Sequence, residues 1–271
     1  MSSPYREAAA YYDRGRPPYS DRLVPALVER LGLDGTGRML DVGCGPGVLA
    51  RMFTGAFASV VGLDPEPAML AEAARLADAA AGAADPSARW VRGRAEDIPA
   101  LDLGSFRLVT FGQSYHWTDR PLVTDVVYDI LSPGGAIAVV NHVAAASPPP
   151  GPGAPPIPLA EIDAVLSRFP GGGRGSLATR PAHRHEDVLA SSRFGPPERL
   201  VLPGRADLIR TADDILANLY STSFAAPNVF GARRAEFEET MRALLARVSP
   251  DGLFWEFPGD TEVLLGVRIA G

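Results

Sequence analysis

The sequence contains no lysine, so all 26 of its basic residues are arginines. Two kinds of catalytic site are excluded by this absence. One is a site that forms a Schiff base on a lysine amine, and the other is a phosphate-binding loop that depends on a lysine ammonium. The cationic side chains that remain are the guanidiniums of arginine and, when protonated, the imidazoles of histidine.

Cysteine, long apolar runs and excess positive charge are scarce as well. The one cysteine, Cys44, has no partner for a disulfide, which fits a reducing compartment. No stretch reaches the roughly 20 apolar residues of a membrane span, and the first residues are polar and aromatic rather than typical of a signal peptide. We therefore expect a cytoplasmic protein that does not enter membranes.

The formal net charge is −6, so no broad basic surface is expected and nucleic acid is an unfavourable partner. A chain of 271 residues that is 46% apolar can bury a full core. These values favour a single α/β domain with an elaboration, acting on a small molecule as a monomer or a homodimer.

Apolar, β-rich runs alternate with helical patterns through the first half of the chain. Strands are predicted at 39–42, 60–63, 90–91, 108–111 and 136–140, with helices at 49–53, 68–81 and 122–131. Ser132-Pro-Gly-Gly135 is predicted to be a turn that leads into the fifth strand. This alternation predicts a doubly wound, mostly parallel sheet that binds ligands at the carboxyl ends of its strands.

A Pro-rich stretch beginning at Ser147 interrupts this pattern. Helices are then predicted at 157–169, 181–189, 212–220 and 232–248, and strands at 198–202 and 261–269. The predicted organisation is an N-terminal lid segment (1–34), a cofactor-binding core (35–146), a Pro/Gly-rich cap insertion (147–197) and a final part that completes the sheet (198–271).

The first strand runs into a glycine turn, Asp41-Val-Gly-Cys-Gly-Pro-Gly47, and the second strand ends at Asp64. Glycines at 43, 45 and 47 would allow a ligand to approach the backbone, and Asp64 is placed to bind two ribose hydroxyls. The spacing differs from the dinucleotide pattern G-x-G-x-x-G, and the leading Asp41 would repel a pyrophosphate but accept from an ammonium. A nicotinamide-binding domain and an accidental glycine turn are the alternatives.

This turn, followed by Asp64, resembles the first motifs of the class I methyltransferases that use S-adenosylmethionine. The resemblance implies a seven-stranded methyltransferase fold and extends to the segment Gly93-Arg-Ala-Glu-Asp-Ile-Pro99, where Arg94 replaces the family's usual Asp. It also extends to the leader between Tyr5 and Tyr19. The cofactor-binding residues that it implies are Asp41, Gly43, Cys44, Gly45, Gly47, Asp64, Pro65, Met69, Ala95, Glu96, Gln113, Tyr19 and Arg16.

Two of these assignments have simpler alternatives. Cys44 could be a small buried filler rather than a reactive thiol, and Glu96 could belong to a polar loop that caps the following helix.

Gln113-Ser-Tyr-His-Trp117, after the fourth strand, resembles a variant found in the branch that includes trans-aconitate methyltransferase-like proteins. Methyl transfer to a hydroxyl or ammonium requires removal of a proton, so His116 is the candidate catalytic base. The alternative is that it packs beside the cofactor or orients the substrate. The candidate substrate-binding residues are Tyr11, Tyr115, Trp117, His142 and Tyr220.

No metal site is expected, since His183 and His185 are two residues apart and lack accompanying ligands; solvent-facing polarity is the simpler account of both. The predicted function is methylation of a small molecule, with oxygen the favoured acceptor and nitrogen or carbon as alternatives. A cyclisation or rearrangement on the same fold, a cofactor-binding sensor and an oxidoreductase that binds NAD remain alternatives.

Overall fold

Parallel strands form the centre of the fold, as the alternation of strand and helix patterns predicts. A computed structural model of the chain describes residues 5–81, 88–145, 149, 151–169 and 185–269. The strands in chain order are β1 Arg38–Val42, β2 Ser59–Asp64, β3 Ala88–Arg92, β4 Phe106–Gly112, β5 Leu131–Val143, β6 Glu198–Leu202, β7 Ile209–Thr211, β8 Leu253–Trp255 and β9 Asp260–Val267.

Seven strands form one sheet in the order β3-β2-β1-β4-β5-β9-β6, and β7 pairs with β8 separately. Strands β1 to β5 are parallel, whereas β9 runs antiparallel to both of its neighbours. The predicted seven-stranded, mostly parallel methyltransferase fold is therefore confirmed. The small pair of β7 and β8 was not predicted, because strands of three residues carry too little periodicity.

Helices cover both faces of the sheet. In chain order the helices are α1 Tyr5–Gly15, α2 Leu23–Leu31, α3 Val48–Met52, α4 Pro67–Ala81, α5 Arg120–Ile130, α6 Leu159–Leu166, α7 His185–Ala190, α8 Ala212–Tyr220, α9 Pro227–Phe230 and α10 Arg234–Val248. Leu40 of β1 belongs to a core cluster with Val123 and Val127 of α5, whereas its neighbour Met39 belongs to a second cluster with Leu27 of α2. Alternate residues of one strand thus face opposite layers.

Strand β5 begins earlier than the sequence pattern predicts. Leu131 pairs with Phe106 of β4, and the next partners are Ala136 and Leu108, so the segment between them bulges out of register. Gly134 has a positive φ of 73° within this bulge. The predicted turn at 132–135 is therefore part of β5, and helix α5 ends at Ile130.

The contacts within the chain divide it into two units. The sheet unit comprises residues 19–143, 181–203 and 260–271, and the helical unit comprises 1–18, 144–180 and 204–259. The predicted lid (1–34) and cap (147–197) each contribute residues to both units. Helices α8 to α10, which fall within the segment predicted to complete the sheet, belong to the helical unit.

Candidate functional site

The glycine turn follows β1 at the carboxyl edge of the sheet. Gly43, Gly45 and Gly47 have φ values of 65°, 53° and 76°, a region that favours glycine. A β-carbon at position 43 would lie 2.6 Å from Cβ of Ser114, and one at position 47 would lie 2.5 Å from the Trp90 ring. At position 45 it would meet only the Met69 sulfur, at 4.0 Å. Gly43 and Gly47 thus make room for side chains, and Gly45 presents an open backbone.

Backbone amides of the turn are bonded to the end of β2. The amides of Gly43 and Cys44 both donate to the Leu63 carbonyl, at 2.8 and 3.1 Å. The Gly45 amide donates to Asp64 Oδ2 at 2.9 Å, and the Glu66 amide donates to Oδ1 at 2.8 Å. Burial raises the pKa of Asp64 above its ordinary value. Each carboxylate oxygen keeps a second lone pair, so the group can still accept from two hydroxyls.

Asp41, which we predicted to bind the cofactor, is only 2% exposed. Its carboxylate accepts from the Thr110 hydroxyl at 2.8 Å and from the Ala50 amide at 3.3 Å. Burial raises its pKa to about 7. The contacts in the structure tie β1 to β4 and to α3, and binding of the cofactor's ammonium by Asp41 stays a prediction.

Cys44 lies buried within the turn, and burial raises the pKa of its thiol well above the ordinary value. A thiol in such surroundings stays protonated and is a poor nucleophile. This arrangement favours the interpretation of Cys44 as a small buried side chain, since reactivity requires the thiolate.

Candidate residues for the nucleoside side of the pocket follow β2 and β3. Met69 and Ala95 are buried, whereas Pro65 is exposed. Glu96 accepts from the Asp119 amide at 2.9 Å and has Arg94 at 3.7 Å. Glu96 therefore supports the start of α5 in this structure, which is close to the capping role that we weighed for it.

At the end of β4, Gln113 has a φ of 54°. Its backbone N–H donates a hydrogen bond to the Val140 carbonyl at 3.0 Å. Among the residues that the structure describes, Asp102 is the other non-glycine with positive φ. Such conformations are unfavourable and often occur at binding sites. The next residue, Ser114, donates to the Val42 carbonyl at 2.5 Å and so fixes the loop to β1.

Two predicted ligand contacts, Tyr19 and His142, lie against each other. Their rings are stacked, with centroids 4.9 Å apart and an interplanar angle of 7°. A β-carbon at Gly112 would lie 2.9 Å from the Tyr19 hydroxyl, so this tyrosine reaches the end of β4. The structure thus brings together one predicted cofactor residue and one predicted substrate residue.

His116 and Trp117 are exposed in the short turn after β4, and Trp117 is 62% exposed. Tyr115 is buried, and its hydroxyl bonds to the Thr124 hydroxyl and lies 3.4 Å from the Arg120 carbonyl. The ring of His185 lies edge-on to Tyr115 at 5.1 Å between centroids and stacks on His116 at 6.5 Å. His185 is 3% exposed, so our interpretation of it as a solvent-facing residue was wrong. His183 lies outside the described residues.

The remaining predicted residues, Tyr11, Arg16 and Tyr220, belong to the helical unit. The rings of Tyr11 and Tyr220 are 5.1 Å apart. Arg16 donates to the Ser221 carbonyl at 3.0 Å and lies over the Tyr12 ring. These contacts hold α1 against the end of α8.

Several residues of the site carry no sequence signal of their own. Thr110, Ser114 and Trp90 were missed, because an isolated hydroxyl or a tryptophan in a strand is typical of any sheet protein. Arg120 was missed because a single arginine at the start of a helix carries no pattern that distinguishes it from other arginines. His185 was recognised, but periodicity over a helix of six residues does not reveal which face is buried.

Membrane-spanning helices and metal-ligand clusters are both absent from the described ranges. Within these ranges no helix is long and apolar enough to cross a membrane. No group of three His, Cys, Asp or Glu side chains in the same ranges is arranged to hold a metal ion.

Comparison with known proteins identifies the domain. Residues 39–135 match a family model described as a methyltransferase domain. An uncharacterised methyltransferase of Mycobacterium tuberculosis, Rv3342, is 35% identical over 144 residues, which are 52% of each chain. The chain spans about half the length of the curated relatives it matches.

Two relatives have named reactions. A malonyl-[acyl-carrier protein] O-methyltransferase of Enterobacter lignolyticus is 34% identical over 52% of this chain and 55% of its own length. A trans-aconitate 2-methyltransferase of Methylobacterium radiotolerans is 34% identical over 44% of each chain.

A solved structure has the same fold over nearly the whole chain. It is a putative methyltransferase from an antibiotic biosynthesis pathway of Anabaena variabilis, 16% identical, with a TM-score of 0.56 over 93% of this chain and 99% of that one. The sheet order, the glycine turn at its carboxyl edge and the match over residues 39–135 agree with one another. The chain therefore has the Rossmann-like methyltransferase fold, and its residues 39–135 are similar to methyltransferase domains.

Proposed function

We propose that this protein transfers a methyl group from S-adenosylmethionine to a small-molecule acceptor, with oxygen as the favoured acceptor atom. The observation that carries the proposal is the bond between the Gly45 amide and Asp64, which fixes an open glycine backbone beside a buried carboxylate inside the matched domain. The named O-methyltransferase among the relatives supports oxygen as the acceptor.

The residues present fit this cofactor. Asp64 has lone pairs left for two ribose hydroxyls, and the open face of Gly45 lies next to the Met69 side chain. Ala95 and Glu96 are our proposed contacts for the adenine, and Gln113 contributes from the strained end of β4. When bound, the cofactor supplies a methyl group on a sulfonium, which is ready for in-line displacement.

His116 is the proposed base for an acceptor hydroxyl. It lies in the turn that follows β4, and its side chain is exposed there. Its expected contribution is removal of one proton at the acceptor atom, while the surrounding aromatic side chains align the acceptor. Tyr115 is buried beneath this turn and supports it rather than touching solvent.

The experiment is to incubate the purified protein with S-adenosylmethionine and a panel of small hydroxy and carboxylic acids. We expect formation of S-adenosylhomocysteine together with a product heavier by one methyl group, both measured by mass spectrometry. Conversion of an acceptor without S-adenosylhomocysteine would contradict methyl transfer and favour the cyclisation or rearrangement alternative.

A variant tests the role of His116. Removing a general base lowers the rate by about 100-fold to 10,000-fold, so His116→Gln should lose activity by at least the lower figure. Binding of S-adenosylhomocysteine should be unchanged in this variant, as measured by calorimetry.

A cytoplasmic location and the oligomeric state remain predictions from the sequence.

A further inference from the structure

A pair of nitrogen-rich side chains lies beside His116 at the start of α5. It consists of Arg120, the first residue of that helix, and His185, the first residue of α7. The two side chains meet at 3.5 Å between an Arg120 terminal nitrogen and His185 Nδ1. We call this pair the Arg120–His185 subsite.

The contact with Arg120 favours a neutral His185 ring. A guanidinium only donates hydrogen bonds, so a neutral ring whose Nδ1 accepts fits the 3.5 Å contact. The proton of that ring is then on Nε2, which is a donor. Burial, and then the charges of Arg120 and His116, lower the pKa of His185 to about 4, in agreement with a neutral ring.

No carboxylate neutralises Arg120 among the residues that the structure describes. Many of the described arginines do form ion pairs, for example Arg14 with Asp214 at 2.6 Å and Arg199 with Glu262 at 2.6 Å. Arg120 is only half-buried, yet the one side-chain partner of its guanidinium in the described structure is a neutral imidazole. Its positive charge is therefore available to an anionic group outside the described chain.

The acidic side chains that neighbour Arg120 and His185 along the chain, and Glu96, which contacts the Asp119 amide, have other positions or partners. Asp119 accepts from the Leu122 amide at 3.3 Å as the cap of α5, and Glu96 accepts from the Asp119 amide. Glu186 and Asp187, which follow His185, are exposed on α7. The site thus combines the half-buried guanidinium of Arg120, the buried neutral ring of His185 that contacts it, and the exposed His116 next to them.

We propose that the Arg120–His185 subsite binds a carboxylate group of the methyl acceptor, a step that rests on the proposed function. A guanidinium matches the planar geometry of a carboxylate and can form two parallel hydrogen bonds to it. Arg120 and His185 would then set specificity for acidic acceptors and hold them next to His116. Both are positioning residues in this scheme.

The first test observes the histidines directly by nitrogen-15 NMR, since the chain has only four of them. We expect His185 to show the tautomer with the proton on Nε2. Glutarate, added at constant ionic strength, should shift the His185 and His116 signals, whereas the neutral glutaramide should not. Inorganic phosphate serves as a comparison, and binding as tight as that of glutarate would contradict a subsite built for a planar carboxylate.

Variants separate the subsite from general effects of charge. Arg120→Gln should weaken glutarate binding by about tenfold or more, because a charge-assisted bidentate contact is lost. Arg193→Gln is the matched control, since Arg193 is an exposed arginine of the same unit that pairs with Asp129 at 2.6 Å. His185→Phe keeps an apolar ring but removes the donor, and it should weaken binding by a smaller factor.

The proposal would also be overturned by glutarate binding that is equal in wild type and Arg120→Gln, or by the absence of a shift of either histidine at any concentration. Circular dichroism shows whether each variant is folded. Should Arg120→Gln unfold, Arg120→Lys retains a charge without the planar fork, and undiminished binding in that variant would contradict the proposed geometry. The glutarate titration requires no methyl transfer, so it can succeed when the activity assay fails. The activity assay can likewise succeed when the titration shows no binding.

Discussion

At the scale of single residues, Asp41 makes a prediction about pH. Its pKa is raised from an ordinary 3.8 to about 7 by burial, so the folded protein binds this proton more tightly than the unfolded chain does. The stabilisation is present at low pH and is lost as the pH rises between these two values. Over that window the loss amounts to about 4 kcal/mol at most.

Asp41→Asn removes the titration and resembles the protonated acid. We expect the free energy of unfolding of wild type to fall relative to that of the variant as the pH is raised from acid to neutral, measured by urea denaturation. Asp34→Asn is the control, because the hydrogen bonds from Thr36 lower the pKa of the exposed Asp34 and its effect on stability has the opposite sign. A difference between wild type and Asp41→Asn that does not change with pH would contradict the burial argument.

Gly45 and Gly47 provide a matched pair within the turn. Both have positive φ, so alanine at either position costs about 1–2 kcal/mol in backbone strain. Only at position 47 does the added β-carbon collide with Trp90, which should cost about 1–3 kcal/mol more. We expect Gly47→Ala to lower the melting temperature further than Gly45→Ala does, and equal losses would contradict this packing.

The same pair carries a prediction about ligand binding. Gly45→Ala places a methyl group on the open face of the turn, so it should weaken binding of S-adenosylhomocysteine even though the fold is retained. Calorimetric titration measures this, and unchanged affinity would show that the ligand does not approach Gly45.

At the scale of elements, α1 is fixed to α8 by close backbone contact. A β-carbon at Gly15 would lie 2.4 Å from the Ala217 carbonyl group, and the buried Arg210 donates to the carbonyls of Arg14 and Gly15. Arg210 also pairs with Glu256 at 3.0 Å. The last residue of α1, Gly15, therefore lies directly against the backbone of Ala217 in α8, and its carbonyl is held by Arg210.

Gly15→Ala tests this contact. Alanine favours helices by about 1 kcal/mol, but overpacking against rigid backbone costs about 1–3 kcal/mol, so we expect net destabilisation. Faster hydrogen exchange over α1 should accompany it. Gly55→Ala is the control, because no atom lies within 4 Å of a β-carbon there. Unchanged exchange over α1 in Gly15→Ala would contradict the proposed packing.

The sequence predicts the elements of the sheet well and their side-chain partners poorly. The runs at 39–42 and 60–63 became β1 and β2 because alternate residues face two apolar layers. The sequence could not show that Asp41 turns toward Thr110, or that His185 packs on Tyr115, because those partners lie far along the chain. Strand β5 begins before the predicted start at residue 136, because a bulge that contains Gly134 lets the strand continue through the predicted turn.

At the scale of the whole molecule, each of the two units contains at least one hydrophobic core cluster of its own. One cluster, which includes Leu216 and Phe237, lies in the helical unit, and the other two lie in the sheet unit. The predicted cofactor residues are nearly all in the sheet unit, with Arg16 the exception. Binding of the cofactor should therefore slow hydrogen exchange mainly in the sheet unit.

Hydrogen exchange measured with and without S-adenosylhomocysteine tests this distribution. We expect slower exchange at 41–47, 64–69 and 95–96, and stabilisation by about 2.7 kcal/mol when the ligand is present at 100 times its dissociation constant. Asp64→Ala should abolish the effect. Unchanged exchange at all three segments would contradict the proposed cofactor site.

The packing of Trp90 beneath Gly47 has a spectroscopic consequence. The chain has three tryptophans: Trp90 touches the glycine turn, Trp117 is exposed beside His116, and Trp255 belongs to the helical unit. Replacing Trp117 and Trp255 with phenylalanine would leave one indole whose emission depends on the position of that turn. The protein thus carries its own fluorescent reporter of the glycine turn, and stopped-flow mixing could follow binding at the proposed cofactor site without an added label.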